Sequence, residues 1–306
     1  MGEVIVIGGA NLDIKGKPAH RFVAATSNPG TVTAAAGGVG RNIAHNLAQL
    51  GIDTALISAI GTDAGGRLIN EATAQAGVDI SMLLTVPGAS GTYLAMLDAT
   101  GELIGAINDM GCLERLEPAH LEQHRSRLLK AELIAADCNL SVECLDWLFA
   151  FTVQNRIRLL IEPVSVPKAQ KLKQLKRGGR AFAITPNADQ FASLTGGTAD
   201  DPHAIATLHA MGYENIVVHR GAAGAVASDG GAGPVAIPAQ ATAPVADVTG
   251  AGDAAVAGLI CGLLEGYDLV RAARLGQAAA AIKIASATSV APGLNRVSLF
   301  ALAGNS

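Results

Sequence analysis

The sequence predicts an α/β fold built on a mostly parallel sheet, and three observations carry that prediction. Short apolar runs recur along the 306 residues without the alternation of a half-exposed strand. Stretches with helical spacing separate most of them. Glycines stand where those helical stretches should stop.

The runs are Val4 to Ile7, Ala55 to Ile60, Leu133 to Ala136, Leu159 to Ile161, Phe182 to Ile184 and Ile216 to His219. Each reads as a strand buried on both faces. Between the first two, Ile43, Leu47 and Leu50 recur at helical spacing, and Gly51 follows as the residue after the C-cap. Gly77 closes the next helical stretch in the same way, so these are βα units.

Two segments break the rhythm. The first, 14–35, is polar and contains Pro18 and Pro29. In the second, 92–107, Thr92 to Leu97 and Leu103 to Ile107 flank Asp98-Ala99-Thr100-Gly101, which reads as a hairpin. We expect the two to pair as a small β lid over the ligand face, leaving 1–13, 36–91 and 108–306 as the main domain. A pair of decorated loops is the plainer alternative.

Half of the residues are hydrophobic, 16% are charged and only 3% are aromatic, so the core must be built from Ala, Val, Ile and Leu. The net charge of −4 gives no broad positive field, and the basic run Lys168 to Arg180 is short and mixed with Leu and Gly. Nucleic acid is not an expected partner. Cys112, Cys138, Cys144 and Cys261 show no CxxC spacing and read as buried thiols. Met1-Gly2-Glu3-Val4-Ile5-Val6-Ile7 enters a strand without a basic leader, and no apolar stretch reaches the roughly 18 residues that span a bilayer. The expectation is a soluble, cytoplasmic protein with no membrane partner.

The most informative stretch is Asp247-Val248-Thr249-Gly250-Ala251-Gly252-Asp253, which leads into the apolar helical run Ala254 to Leu264. Gly250, Ala251 and Gly252 would leave backbone N–H groups open at the positive end of a helix dipole, a ready site for a phosphate oxyanion. A carboxylate repels that anion, so Asp253 makes sense as the base that takes a proton from an attacking hydroxyl. The alternative is a first-turn Asp that favours the dipole after a tight glycine turn. The chain lacks a P-loop signature, so a nucleotide would need another cradle.

This stretch resembles the C-terminal signature of the ribokinase-like, PfkB-type carbohydrate kinases. Gly37-Gly38-Val39-Gly40-Arg41-Asn42-Ile43-Ala44, followed by Asn46-Leu47-Ala48 and Gly51, resembles their N-terminal signature, and Ile7-Gly8-Gly9-Ala10-Asn11-Leu12-Asp13 their first strand and turn. The motifs keep the family's order, and the resemblance covers essentially the whole chain. It implies a ribokinase-like three-layer sandwich with a mostly parallel central sheet and a small β-sheet lid, working as a kinase with ATP and Mg2+.

The resemblance also implies roles. Asp253 would be the catalytic base, beside an anion hole made by Gly250, Ala251 and Gly252. Asn11, Asp13 and Asn42 would hold ribose-type hydroxyls, with Gly37 and Gly38 allowing close backbone approach; alone, Asp13 and Asn42 read equally as a turn residue and an early helix residue. Thr185, Asn187, His219, Gly221, Gly224 and Thr249 would pass the nucleotide, although Gly221 and Gly224 also read as a strand-to-strand turn. Asp247 with Thr249 matches part of a monovalent-cation site, expected to hold K+. One departure stands out: in Asn187-Ala188-Asp189-Gln190 the family's glutamate is Gln190. In the family that glutamate serves magnesium-bound water; Gln orients water without adding charge, so magnesium handling should be weakened or rearranged, with Asp189 a lesser substitute.

Within the family the chain looks closest to pseudouridine kinases, which phosphorylate the 5′-hydroxyl of a C-glycosidic nucleoside. Ser27-Asn28-Pro29-Gly30, Ala106-Ile107-Asn108-Asp109-Met110, Ala136-Asp137-Cys138-Asn139 and Glu162-Pro163-Val164-Ser165 resemble segments of that subfamily, the last with Glu in place of its usual Asp. Ser27, Asn28, Asn108 and Asn139 would then offer donors and acceptors to the base. Ser27 and Asn28 read equally as turn formers, Asn139 as a helix cap and Lys168 as a solvated cation. Ribose, fructose or another nucleoside is the alternative acceptor, and a homodimer follows by analogy with the family.

Three rival classes are weaker. Gly8-Gly9-Ala10-Asn11 lacks the spacing of a dinucleotide-binding oxidoreductase. A ligand-sensing protein that kept the fold and lost turnover would suit the Gln190 departure. His120-Leu121-Glu122-Gln123-His124 places two histidines four apart without the order a hydrolytic zinc site uses, and reads as a solvated helix face.

Overall fold

The computed structural model describes residues 2–176, 180–231, 233–240 and 244–304. It opens with β1 (Val4–Ile7), fully buried, and then leaves the core for the hairpin β2 (Asn11–Pro18) and β3 (Gly30–Gly37). Helix α1 (Val39–Gln49) follows at once and ends, as expected, with Gly51 at φ 74°. The run expected as one strand from Ala55 to Ile60 is two: β4 (Thr54–Ile57) and β5 (Ala59–Gly61). The break falls at Ser58, whose carbonyl accepts the N–H of Leu84 and so turns the chain toward a second partner.

Helix α2 (Ala64–Gln75), capped by the Asp63 side chain, precedes β6 (Leu84–Val86), and the hairpin β7 (Thr92–Leu97) and β8 (Leu103–Asp109) comes next. Asp98 Oδ1 accepts the N–H groups of Thr100, Gly101 and Glu102 and locks that hairpin's turn. The chain then alternates: α3 (Pro118–Gln123), α4 (Arg125–Leu128), β9 (Leu133–Asp137), α5 (Val142–Asn155), β10 (Arg158–Glu162), α6 (Val166–Ala169), β11 (Ala181–Ile184), α7 (Ala188–Thr195), α8 (Pro202–Ala210) and β12 (Tyr213–His219). It closes with the edge strands β13 (Ala225–Ser228) and β14 (Val235–Ile237) and the helices α9 (Ala251–Leu264), α10 (Leu269–Ile284) and α11 (Arg296–Ala303).

The main sheet runs β14-β13-β12-β11-β10-β9-β1-β4, parallel from β12 to β4 and antiparallel at β13 and β14. Its strands are apolar on both faces because helices cover both. Ile5 and Ile7 pack with Leu148, Phe149 and Phe191 under α5 and α7, whereas Val4 and Val6 pack with Leu47, Val256 and Leu259 under α1 and α9. The shortage of aromatics is met by close approach. A Cβ on Gly258 of α9 would lie 2.6 Å from the Leu275 carbonyl oxygen of α10, so the two helix backbones touch where larger residues would hold them apart. This is the ribokinase-like α/β architecture expected from the sequence.

A second sheet, β3-β2-β7-β8, joins the two hairpins through parallel pairing of β2 with β7. The ladder runs past the expected limits of 14–35 and 92–107: Asn11 pairs with Gly37, Asp13 with Ala35, and Thr92 with Asp109. Asn11, Asp13 and Gly37 therefore stand at the root of the lid, where it meets the main sheet. Among the described residues, no helix is long and apolar enough to cross a membrane, and the four cysteines are free and buried.

Candidate active site

The site begins at the N-terminus of α9. Gly250 is its N-cap at φ 82°, and a Cβ there would stand 2.0 Å from the Ser289 carbonyl oxygen, so only glycine fits. The first helical bond is made by Ala254 to Gly250, which leaves the N–H groups of Gly252 and Asp253 without a helical acceptor. Ala251 differs from expectation: its N–H is spent on the Val248 carbonyl, 3.1 Å away, because the preceding residues form a tight turn. The anion hole thus narrows to Gly250, Gly252 and the amide of Asp253. Gly252 faces open space, where a phosphate oxygen can approach the positive end of the dipole.

Asp253 lies in the first turn of α9, is buried, and accepts the Asn42 Nδ2 amide at Oδ2 over 2.9 Å. Burial pushes its carboxyl up to about 7; the Asn42 donor opposes that, and nearby Asp137 and Asp13 add to it. A base with that value is half ionised near neutral pH, as general-base work requires.

On the acceptor side the expected residues converge. Asp13 accepts Asn11 Nδ2 at 2.6 Å, and its carboxylate lies against Gly37, where a Cβ would fall 2.1 Å from Oδ2. Burial raises the Asp13 carboxyl against the pull of Asn11. Gly38, at φ 100°, caps α1 without room for a Cβ beside the Gly9 carbonyl oxygen, 2.4 Å away. Asn108 occupies the cross-strand row Ala35–Asp13–Tyr93–Asn108, on the same face of the lid as Asp13. Asn139 is half-buried beside Gly9 and accepts the ammonium of Lys168. It caps no helix, since Ser141 caps α5, and Lys168 is no solvated cation: its stem is part-buried and burial lowers its pKa.

Ser27 and Asn28 are not brought to this group. The Asn28 side chain bonds Val23 N at 2.8 Å and the carbonyls of Val23 and Thr26, so its amide is consumed by its own turn. Ser27 is exposed in the same turn, beyond the far end of the β2–β3 hairpin. Asp13 and Pro18 are five residues apart along β2, about 17 Å at 3.4 Å per residue.

On the nucleotide side, His219 Nε2 is buried and has no hydrogen-bond partner among the described residues, and burial pushes the imidazole down to about 4. An orphaned ring nitrogen of a neutral histidine fits a bound nucleotide. Gly221 and Gly224 form the turn between β12 and β13, both at positive φ. Thr185 is fully buried and donates to Glu162 Oε2 at 2.7 Å, so it acts through Glu162 and not by open contact. Asn187 and Gln190 form a reciprocal capping box on α7: Asn187 Oδ1 accepts Gln190 N, and Gln190 Oε1 accepts Asn187 N. The side-chain oxygen of the amide that replaces the family's glutamate is engaged in that box.

Glu162, which sequence reasoning did not single out as a site residue, is a further buried acid beside the base candidate. It is buried at the end of β10, within electrostatic reach of Asp253 and Asp137. Burial pushes it up to about 8 against the Thr185 and Val164 donors, so the group is mostly protonated at neutral pH. Val164, at φ 69°, is a strained β-branched residue held by its N–H bond to Glu162. Asp137 was also missed. It accepts Gly9 N and Gly40 N at 2.8 Å each and so fastens the end of β1 to the start of α1.

At the expected monovalent-cation site the structure places cationic side chains. The Asp247 carboxylate accepts Thr249 N at 2.8 Å and pairs with Lys15 of the lid at 3.2 Å, and its main-chain carbonyl is bonded by Lys283 Nζ at 2.7 Å. Lys283 also bonds the Ser286 carbonyl at 3.1 Å. The oxygens that would receive K+ already hold an ammonium group. Among the described residues no cluster of His, Cys, Asp and Glu suits a metal, and His120 closes the cap of α3.

The model of the pfkB family of carbohydrate kinases matches residues 1–294. The chain is 37% identical over 298 residues to an uncharacterized sugar kinase, YeiI, of Escherichia coli, covering 95% of this chain and 80% of that one. It is 34% identical over 307 residues to the pseudouridine kinase of the same organism, covering 99% and 96%. Among solved structures, a carbohydrate kinase from Agrobacterium tumefaciens superposes with a TM-score of 0.86 at 30% identity, covering 99% of this chain and 97% of that one.

Proposed function

The chain belongs to the pfkB family of carbohydrate kinases, and on that premise we propose that it moves the γ-phosphoryl group of ATP onto the 5′-hydroxyl of pseudouridine. The observation that carries this reading is the pairing of Asp253 with Asn42 at the mouth of the anion hole, next to the Asp13 group. Asp13, Asn11 and Asn42 bind the ribose hydroxyls and present the 5′-hydroxyl to Asp253. Asp253 takes its proton as the oxygen bonds to phosphorus and the bond to the leaving ADP breaks. Gly250, Gly252 and the Asp253 amide stabilise charge on the phosphoryl oxygens. Magnesium, when bound, would neutralise charge on the nucleotide phosphates, and Glu162, once deprotonated, would orient its water shell in place of the glutamate replaced by Gln190. Asn108, and Asn139 oriented by Lys168, read the base.

A free sugar or another nucleoside is the second reading, favoured by the position of Ser27 and Asn28 away from the site. ATP-to-ADP turnover with pseudouridine, uridine, ribose and fructose, with the product checked by mass, separates the two. Turnover with pseudouridine alone supports the proposal. A free sugar as the preferred acceptor overturns the base-reading roles, and ligand binding without turnover on any acceptor would make the chain a sensor.

The partner is a second copy of the chain. Val32, Ile14, Leu94, Met96 and Ile107 share the lid face opposite Asp13, and Val32 and Ile107 are 75% and 69% exposed. A sedimentation measurement that finds a monomer at micromolar concentration would sink this reading.

A further inference from the structure

We propose that the ammonium group of Lys283 is a built-in monovalent cation, which makes this kinase independent of potassium. Lys283 lies in the last turn of α10 and has no exposed surface. Its Nζ is held by two main-chain carbonyls from separate loops, Asp247 at 2.7 Å and Ser286 at 3.1 Å. Backbone carbonyls converging from loops are the ligands a potassium ion takes, and an ammonium group of similar size can replace it while satisfying the same oxygens.

The surroundings favour a positive charge. The carbonyl end of α10 is the negative end of its dipole, and the Ile284 carbonyl accepts Ala246 N at 2.7 Å, which fastens the Asp247 loop to that helix end. Burial lowers the Lys283 pKa, and the Asp247 and Asp253 carboxylates oppose that. The loop on the far side is ordered by its own hydroxyls: Ser286 Oγ meets Thr288 Oγ1 at 2.8 Å, and Thr288 donates to the Val290 carbonyl at 2.7 Å. That loop carries Ser289, whose carbonyl abuts Gly250. The cation therefore props both walls of the anion hole, and its field lowers the Asp253 carboxyl. A diffusible cation is lost at low potassium, whereas a tethered one is present at every salt composition.

The inference rests on the kinase reading for its consequence, but not for its geometry, so the test has two arms. In crystals soaked with thallous ion, a potassium mimic, the wild type should show no anomalous peak on the Asp247 and Ser286 carbonyls. A peak there overturns the proposal whatever the enzyme does. In turnover with MgATP and whichever of the four acceptors above is used, chlorides of potassium, sodium and N-methylglucamine at equal ionic strength should give equal rates; potassium activation of about tenfold or more overturns it.

Lys283→Ala supplies the converse. It should lose roughly 10²-fold in turnover, gain a thallous peak, and recover in potassium or ammonium but not in N-methylglucamine. A stable variant that no cation restores would overturn the proposal, and should Lys283→Ala fail to fold, the two wild-type arms still decide. Absence of turnover in every salt would count against the kinase reading, leaving the thallous arm to judge the site.

Discussion

The Asn42 side-chain amide donates to Asp253 Oδ2 over 2.9 Å, joining the first turns of α1 and α9 across 211 residues of sequence. The residue proposed to bind the acceptor thus also holds the proposed base. Burial disfavours the ionised carboxylate and the amide favours it, so the two together leave Asp253 at about 7.

Asp253→Asn should lower turnover by about 10²- to 10⁴-fold while nucleoside binding, measured by calorimetry, stays near wild type. In the wild type, kcat/KM should rise with pH through about 7 as Asp253 loses its proton. Asn42→Ala removes the donor that lowers this value, so the rise should move to higher pH. A profile that does not move would mean that another group titrates.

Glu162→Gln should change how stability depends on pH. The folded-state value of Glu162, about 8, lies above the ordinary 4.5, so its contribution to stability is complete below the ordinary value and is lost as pH rises through about 8. The wild-type Tm should therefore fall over that window more steeply than that of Glu162→Gln. The gap should be widest above pH 8, at about 2–4 °C for each kcal/mol recovered. Parallel Tm curves in scanning calorimetry would refute it.

Gly250→Ala and Gly252→Ala should separate folding from chemistry. A methyl group at 250 strikes the Ser289 carbonyl from a left-handed backbone, so the variant should lose about 1–3 kcal/mol of stability as well as turnover. A methyl group at 252 meets no protein atom within 4 Å, so Tm should hold while turnover falls roughly tenfold or more, because the added carbon enters the phosphate space. Thermal shift alongside initial rates reads both.

Asp13→Ala should raise the acceptor KM about 10- to 100-fold, the worth of hydrogen bonds to a charged group, with a smaller change in kcat. Steady-state kinetics at saturating ATP checks this; a loss confined to kcat would move Asp13 from binding to chemistry.

Gly250 to Asp253 and Gly37 to Asn42 each begin a helix, as their local sequence suggests, but local chemistry left the roles of Asp253 and Asn42 open and the order of the family motifs supplied them. The edge strands β13 and β14 and the break at Ser58 were not legible, because short apolar runs do not say which neighbour they will pair with. Asn28 was left open for a related reason: a polar turn residue and a ligand-binding residue look alike until the partners of the amide are known.

By itself the sequence determined the α/β fold, the small second sheet and the glycine turn that opens the last apolar helix, since periodicity and backbone conformation are properties of short segments. Only the tertiary structure decided where charge meets charge. Gln190, where the family has a glutamate, puts its amide oxygen into a helix cap, while Glu162 is buried against Thr185. Lys283 and Asp247, 36 positions apart in sequence, meet at a carbonyl that a free ion was expected to occupy. Electrostatic partners are set by distance and burial, and folding fixes both by packing elements that the sequence leaves far apart.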